Sequence, residues 1–336
     1  MADDFLSAHA GEIATASKRI SPFVRHTPLL PDSLDSGLLI KPECLQVTGS
    51  FKARGAFNAM LRLTESQPSL AGVIAVSSGN HAQGVALAGR TLGIAVVVVM
   101  PEDSNPAKVA ATRALGAEVV IDGVSTLNRE DIVRQLAAER NLHLLHPFDN
   151  WDVIHGQGTA AAELFADRPD TRLVVTPVGG GGLISGTAIA AKSHDASTVV
   201  IGVEPETAAD AAASMASGRR ESLSSPPATI ADGVRTMAIG ERNFEVISER
   251  RLVDGIVTVT EREIAEATVV AWERLKLAVE PTGALPLAAY LAGKLPESSL
   301  TALLISGGNA SRSVMAEIFR TAADEPHVGG EDATRA

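Results

Sequence analysis

The sequence predicts an α/β protein of two domains, each a mostly parallel open sheet flanked by helices. Short β-branched runs alternate with longer stretches of helical pattern, as in chains that return to a sheet through crossover helices. The local pattern changes near residues 63–72 and again near 146–150, as expected where a smaller domain is inserted into a larger one. The 336 residues, 45% hydrophobic and 21% charged, are enough for two well-buried cores.

In chain order, residues 73–76 (Val-Ile-Ala-Val) are the first expected strand, and 82–92 the helix after it. The apolar run at 94–100 is far shorter than the ~20 residues that cross a bilayer, so it reads as a buried strand. Helical patterns at 106–115 and 131–140 flank a strand at 118–121, and together these make a small domain over 63–148. The large domain, 1–62 plus 149–320, is expected to hold a helix at 152–165 and strands at 173–178, 198–203 and 302–305. Residues 321–336, rich in Asp, Glu, Gly and Ala and without apolar periodicity, read as a mobile tail.

A net charge of −11, with no Lys/Arg cluster, argues against nucleic acid as a partner and leaves a small molecule as the expected one. Cys44 is the single cysteine, so neither an intrachain disulfide nor a thiolate metal cage can form. Met1-Ala2-Asp3-Asp4 is acidic where a secretory leader would be basic, and no run is long enough to span a membrane. A cytoplasmic location is expected.

In parallel sheets ligands gather beyond the carboxyl ends of strands, and three such loops carry unusual residues. Four consecutive glycines, Gly179-Gly180-Gly181-Gly182, let successive N–H groups point into one concavity at a helix start, which makes a phosphate cup. The spacing matches neither the dinucleotide fingerprint nor a nucleotide P-loop, and a flexible turn is the bland alternative. Ser77-Ser78-Gly79-Asn80-His81 offers hydroxyls, a carboxamide and free amides suited to a carboxylate or a phenolic oxygen; alone, it could be an N-cap. Ser306 follows the last strand and could donate to a ring nitrogen or cap a turn. Elsewhere, in Thr48-Gly49-Ser50-Phe51-Lys52-Ala53-Arg54-Gly55-Ala56, a lysine opens a helical stretch among small and apolar neighbours. There it can stay partly uncharged and attack a carbonyl carbon, although a surface lysine lying on an apolar patch fits the segment too. Together, an activatable lysine, a phosphate cup, an Asn-bearing anion loop and a terminal serine describe a site for pyridoxal 5′-phosphate.

The chain resembles the fold type II pyridoxal-phosphate enzymes, in the branch of serine/threonine dehydratases and serine racemases. The segments that carry the resemblance are Ser50 to Ala56, Ser77 to His81, Gly156-Gln157-Gly158-Thr159, Gly179 to Gly182, Ile230-Ala231-Asp232-Gly233-Val234, Glu280-Pro281-Thr282 and Ser306-Gly307-Gly308-Asn309, in family order. The resemblance implies that Lys52 forms the Schiff base with the cofactor, Phe51 packs against its ring and Asn80 contacts the ring hydroxyl. It also implies that the amides of Gly179 to Gly182 hold the phosphate and that Ser306 faces the pyridine nitrogen. It further implies that Ser77, Ser78, Asn80 and His81 form the substrate-binding loop. A neutral hydroxyl at the ring nitrogen does not stabilise a protonated ring, which favours elimination over transamination. By the same resemblance the freed Lys52 amine would take the Cα proton, the β-hydroxyl would leave as water with the cofactor phosphate as proton donor, and the enamine that Lys52 releases would tautomerise and hydrolyse to a 2-oxo acid and ammonia. A homodimer is implied as well.

Particular residues divide the branch. Phe148, in His146-Pro147-Phe148-Asp149, resembles the threonine dehydratases and favours elimination of L-threonine or L-serine. Ser78 matches the residue that serves the racemases as acid and base on the face opposite the lysine. Arg129 falls where racemases and hydroxyaspartate dehydratases carry an arginine that could pair with a second substrate carboxylate, or it is simply a solvent-facing arginine. Glu204 and Asp210, with the carbonyl of Ala208 between them, match two carboxylates that bind a structural divalent cation, suited to Mg²⁺, Ca²⁺ or Mn²⁺; a solvated acidic helix start is the alternative. A non-catalytic ligand-binding relative is the reading from another class, and the retained Lys52 argues against it. His155 stands where the family has a small residue and has no chemical role in this reading.

Overall fold

The computed structural model describes residues 2–32, 35–67, 69–104, 106–125 and 127–323. Helix α1 (Ala2–Ile20) precedes β1 (Leu30–Pro31) and β2 (Leu38–Pro42). Helix α2 (Lys52–Ser66) then leads into β3 (Val73–Val76), α3 (Asn80–Leu92), β4 (Val96–Val99), α4 (Pro106–Ala114), β5 (Glu118–Val120), α5 (Arg129–Glu139) and β6 (His143–Leu144). The chain continues through α6 (Trp151–Asp167), β7 (Leu173–Pro177), α7 (Gly182–His194), β8 (Val199–Pro205), α8 (Asp210–Ser217), α9 (Glu241–Phe244) and β9 (Gly255–Val259). It closes with α10 (Glu261–Glu273), α11 (Pro281–Leu291), β10 (Thr301–Ile305) and α12 (Arg312–Ala323). Of the expected tail, 321–323 continue α12 as helix, and the remainder lies outside the described residues.

Two sheets result, one in the order β1-β2-β10-β7-β8-β9 and one in the order β5-β4-β3-β6. Every pairing is parallel except β1 with β2. The fold is therefore mixed α/β, with two mostly parallel sheets flanked by helices. The near-continuous Val/Ile runs follow from burial of both faces. In the four-stranded sheet Val73, Ala75, Val96 and Val98 enter one apolar cluster, while Ile74, Val76, Val97 and Val99 enter another. The six-stranded sheet divides in the same period-two way, with Val174 and Val200 on one face and Leu173, Val175, Ile201 and Val203 on the other. Among the described residues no helix is long and apolar enough to cross a membrane.

His155 acquires a packing role. Its Nε2 lies 2.8 Å from His9 Nδ1, and the rings of Phe5, His9, Trp151 and His155 pack together, which seats α1 on α6. Burial pushes the His155 imidazole down to about 3, so it is neutral and either accepts from or donates to its neighbour.

Candidate active site

Lys52 is the first residue of α2, placed there by a strand-like hook: Ser50 bridges to Gly307 and the Phe51 N–H donates to Ser306 O at 3.0 Å. Nζ of Lys52 donates to Pro147 O at 3.0 Å and lies 5.1 Å from the centroid of the Phe51 ring. Burial lowers the lysine to about 8, with no carboxylate opposing the shift, so the surface-lysine alternative fails.

Pro147 links the lysine to the glycine loop, because the next residue, Phe148, lies on it. A Cβ on Gly180 would sit 2.2 Å from the Phe148 ring, and one on Gly182 would sit 3.2 Å from Phe148 Cβ. Gly181 has φ +94°, a conformation that glycine adopts at little cost. The loop runs from the end of β7 into the first turn of α7, where free N–H groups and the helix dipole favour a phosphate.

Ser77 to His81 connects β3 to α3. Asn80 begins α3, and no side chain caps that helix, which disposes of the N-cap alternative. Ser77 Oγ accepts from the Gly79 N–H at 3.2 Å instead, and Ser78 is partly exposed. His81 is buried, with Nδ1 unpaired and Nε2 3.4 Å from Leu145 O; burial, reinforced by Lys52, pushes it down to about 3. A neutral imidazole beside the lysine does not compete with it for a proton.

Among the described residues the buried hydroxyls of Ser50, Ser185 and Ser306 have no hydrogen-bond partner. Ser306 is linked directly to Phe51, Ser50 is two residues before the lysine, and Ser185 is in the first turn behind the glycine loop. Orphaned buried donors cost free energy unless a ligand satisfies them. The residues present thus fit pyridoxal phosphate: an amine, a glycine cradle at a helix start, and an unpaired hydroxyl at the strand end.

Arg129 is placed differently. It opens α5, its guanidinium is 3.9 Å from Glu130 on its own helix, and its Nε is buried without a hydrogen-bond partner. Its neighbour Glu130 and Lys52 both act electrostatically on His146.

Glu204 is the penultimate residue of β8 and Asp210 begins α8, and both are buried, as is Ala208 between them, so the solvated-helix-start alternative fails. Glu204 accepts from the N–H groups of Ala211 and Ala212 at 3.1 and 2.9 Å, whereas among the described residues neither Asp210 oxygen meets a donor at hydrogen-bonding geometry, although the N–H groups of Asp210 and Ile239 act to lower its pKa. Burial pushes Glu204 up to about 8, with Asp210 adding repulsion, and pushes Asp210 up to about 6. Among the described residues no group of three or more His, Cys, Asp or Glu side chains gathers, so this pair would need carbonyl or water oxygens to complete a cation's shell.

Two contacts had no signal in the sequence. Asn243 Nδ2 donates to Gly180 O at 2.9 Å and to Phe148 O at 3.2 Å, tying the loop to the aromatic ring above it. Asn80 is clamped between Glu280 and Asn309.

Comparison with known proteins agrees with this geometry. The family described as pyridoxal-phosphate dependent enzyme matches residues 20–307. The chain is 40% identical to L-threo-3-hydroxyaspartate ammonia-lyase of Saccharomyces cerevisiae, over 95% of this chain and 98% of that protein. It is 38% identical to serine racemase of Oryza sativa, over 93% and 94% of the two chains. Among solved structures, the threonine deaminase of T.th. superposes with a TM-score of 0.84 at 50% identity, covering 90% of this chain and 98% of that one. With the lysine, glycine cradle and unpaired serine in place, the match over 20–307 means that the chain belongs to the pyridoxal-phosphate dependent enzymes.

Proposed function

We propose that the protein is an ammonia-lyase that dehydrates and deaminates a small β-hydroxy amino acid, L-threonine or L-serine, to a 2-oxo acid and ammonia. The observation that carries this reading is the buried, unpaired Ser306 hydroxyl hooked to Phe51–Lys52: a neutral partner for the cofactor ring beside a lysine of lowered basicity. The 50% identity to a threonine deaminase supports it. Pyridoxal phosphate supplies the aldehyde and the electron-withdrawing ring that make an amino acid's Cα–H acidic. The amides of Gly179 to Gly182 would hold its phosphate, Phe51 would pack on the ring, Asn80 would meet the ring oxygen and Ser306 the ring nitrogen. Nζ of Lys52 takes the Cα proton, and Ser77, Asn80 and His81 orient the substrate carboxylate. In this reading Ser78 returns a proton from the face opposite the lysine, which would give a racemising side activity. Phe148 walls the pocket with an apolar ring. The same proposal places the enzyme in the cytoplasm as a homodimer, with the domain division near residues 62 and 149.

Hydroxyaspartate is the second substrate reading, favoured by the buried, unsatisfied Nε of Arg129 and by the 40% identical ammonia-lyase. Assay of 2-oxo acid and ammonia from L-threonine, L-serine and the 3-hydroxyaspartate isomers separates the two. Turnover led by threonine or serine, unchanged in Arg129→Ala, is expected. Turnover led by hydroxyaspartate and lost in Arg129→Ala transfers the assignment, and no 2-oxo acid from any of them, with D-amino acid formed, makes the protein a racemase.

Glu204, Asp210 and the Ala208 carbonyl form the proposed divalent-cation site. An acid whose folded pKa is raised favours the fold while protonated and loses that contribution as pH rises from the unfolded toward the folded pKa. In EDTA, stability is therefore expected to fall between about pH 4.5 and 8, the window of the Glu204 shift. Millimolar Mg²⁺ or Ca²⁺ should flatten that slope and raise the melting temperature at pH 8. Equal melting curves with and without cation at pH 8 would remove the metal from the proposal.

A further inference from the structure

Four segments far apart in sequence meet around one carboxamide. Asn309 Nδ2 donates to the main-chain oxygen of Thr48 at 2.7 Å. A carbonyl only accepts, so this bond fixes which end of the Asn309 amide is nitrogen. The same nitrogen also donates to Asn80 Oδ1 at 2.8 Å, which in turn fixes the Asn80 amide with its oxygen toward Asn309. Asn80 Nδ2 then donates to Glu280 Oε1 at 2.6 Å, and one N–H of Asn80 stays uncommitted.

The clamp is built with little slack. Glu280 is 2% exposed, and its own N–H donates to Gly307 O at 3.1 Å. A Cβ on Gly307 would lie 2.4 Å from Glu280 Oε1 and 3.2 Å from Asn80 Nδ2, while one on Gly49 would lie 2.5 Å from Asn309 Oδ1. Only glycine at those two positions leaves room for the three side chains. Burial pushes Glu280 up to about 7, with Asp232 adding to the shift, while Lys108, Asn80 and the Asn309 N–H oppose it. A carboxyl group is costly to bury at such a place, and stability alone gives no reason to keep it there.

We infer that Glu280 and Asn309 are positioning residues: they lock the Asn80 carboxamide so that an N–H, and not the carbonyl, is offered to the ring oxygen of bound pyridoxal phosphate. A donor at that position favours the deprotonated ring oxygen, whereas an acceptor favours the protonated one. The inference rests on the cofactor placement proposed above and on no particular substrate.

The test uses cofactor-loaded protein. The absorption band near the visible edge reports the deprotonated ring oxygen, and a near-ultraviolet band reports the protonated form. Glu280→Gln, which keeps an acceptor for Asn80, should hold the band ratio within about twofold. Glu280→Met and Asn309→Ala should each move that ratio by about threefold or more and weaken cofactor binding about tenfold, the equivalent of one lost hydrogen bond. In an Asn80→Ala background Glu280→Met should change neither quantity further, because its effect runs through Asn80. A wild-type spectrum and affinity in folded Glu280→Met would overturn the inference. So would an equal shift with and without Asn80. If Glu280→Met does not fold by circular dichroism and gel filtration, Asn309→Ala with and without Asn80→Ala decides by the same two criteria. These readouts need only the cofactor, so a failed substrate assay leaves them standing, and their failure leaves the ammonia-lyase proposal untouched.

Discussion

Replacing Lys52 by alanine is expected to lower 2-oxo acid formation on the order of 10⁴-fold or more and to abolish the visible-edge band of the loaded protein. Nζ is asked to act twice, as the amine that joins the cofactor aldehyde and as the base for the Cα proton, and no neighbour can replace it. His81 is held neutral and buried, and the Nδ1 of His146 already accepts the Phe148 and Asp149 N–H groups. At a pKa of about 8, roughly a tenth of the amine is uncharged at pH 7, on the order of 10² times more than in free lysine. Cofactor loading of the apo-protein should therefore quicken about tenfold per pH unit below 8 and level off above it. A rate that climbs unchanged to pH 10 would mean that burial does not tune this amine. Partial rescue of Lys52→Ala by a small primary amine would separate lost chemistry from lost fold, since a collapsed site would not respond.

The site was legible in the sequence where its chemistry is local. Lysine at a helix start, four glycines after a strand and a serine past the last strand each declare themselves within a few residues. The clamp on Asn80 is not local: its partners lie 200 and 229 positions away, so Glu280 and Asn309 show only as motif letters without roles. His155 was opaque for the same reason, its partner His9 being 146 residues distant. In the fold, the expected strand at 94–100 narrows to Val96–Val99 because the Ile94 N–H is taken by Gly89 O at the end of α3. β1 and β6, two residues each, are too short for periodicity to register. β9, with its β-branched Gly-Ile-Val-Thr-Val, carries an ordinary strand signal that the expected set of strands leaves out. β2, Leu-Leu-Ile-Lys-Pro, is also absent from the expected strands; its apolar run is cut short by a lysine and a proline, and Lys41 is fully buried.

The group that buries Lys41 sets the largest expected effect on stability. Lys41 Nζ donates to Glu163 at 2.7 Å and to Thr27 O at 2.7 Å. Arg54, two residues past Lys52, donates Nε to Glu43 at 2.7 Å and its two terminal nitrogens to Glu43 and Glu163 at 2.6 to 2.8 Å. Two cations face two carboxylates, so the cluster is balanced. Burial alone would lower the guanidinium's pKa, and Glu43 and Glu163 more than reverse this. Arg54→Met would leave Glu43, with no exposed surface, facing only the Thr27 hydroxyl and the more distant lysine. A loss of about 3–5 kcal/mol is expected, read as a lower urea midpoint, because a buried charge without its partner keeps its desolvation cost. Arg54→Lys keeps the charge but cannot fork between two carboxylates, so it should fall between wild type and methionine. Because Arg54 anchors the turn that presents Lys52, the methionine variant should also load cofactor more weakly at temperatures where it is still folded. Equal urea midpoints for wild type and Arg54→Met would show that a well-packed apolar side chain serves this site as well as the ion cluster does, and that α2 is held by its alanine-rich face alone.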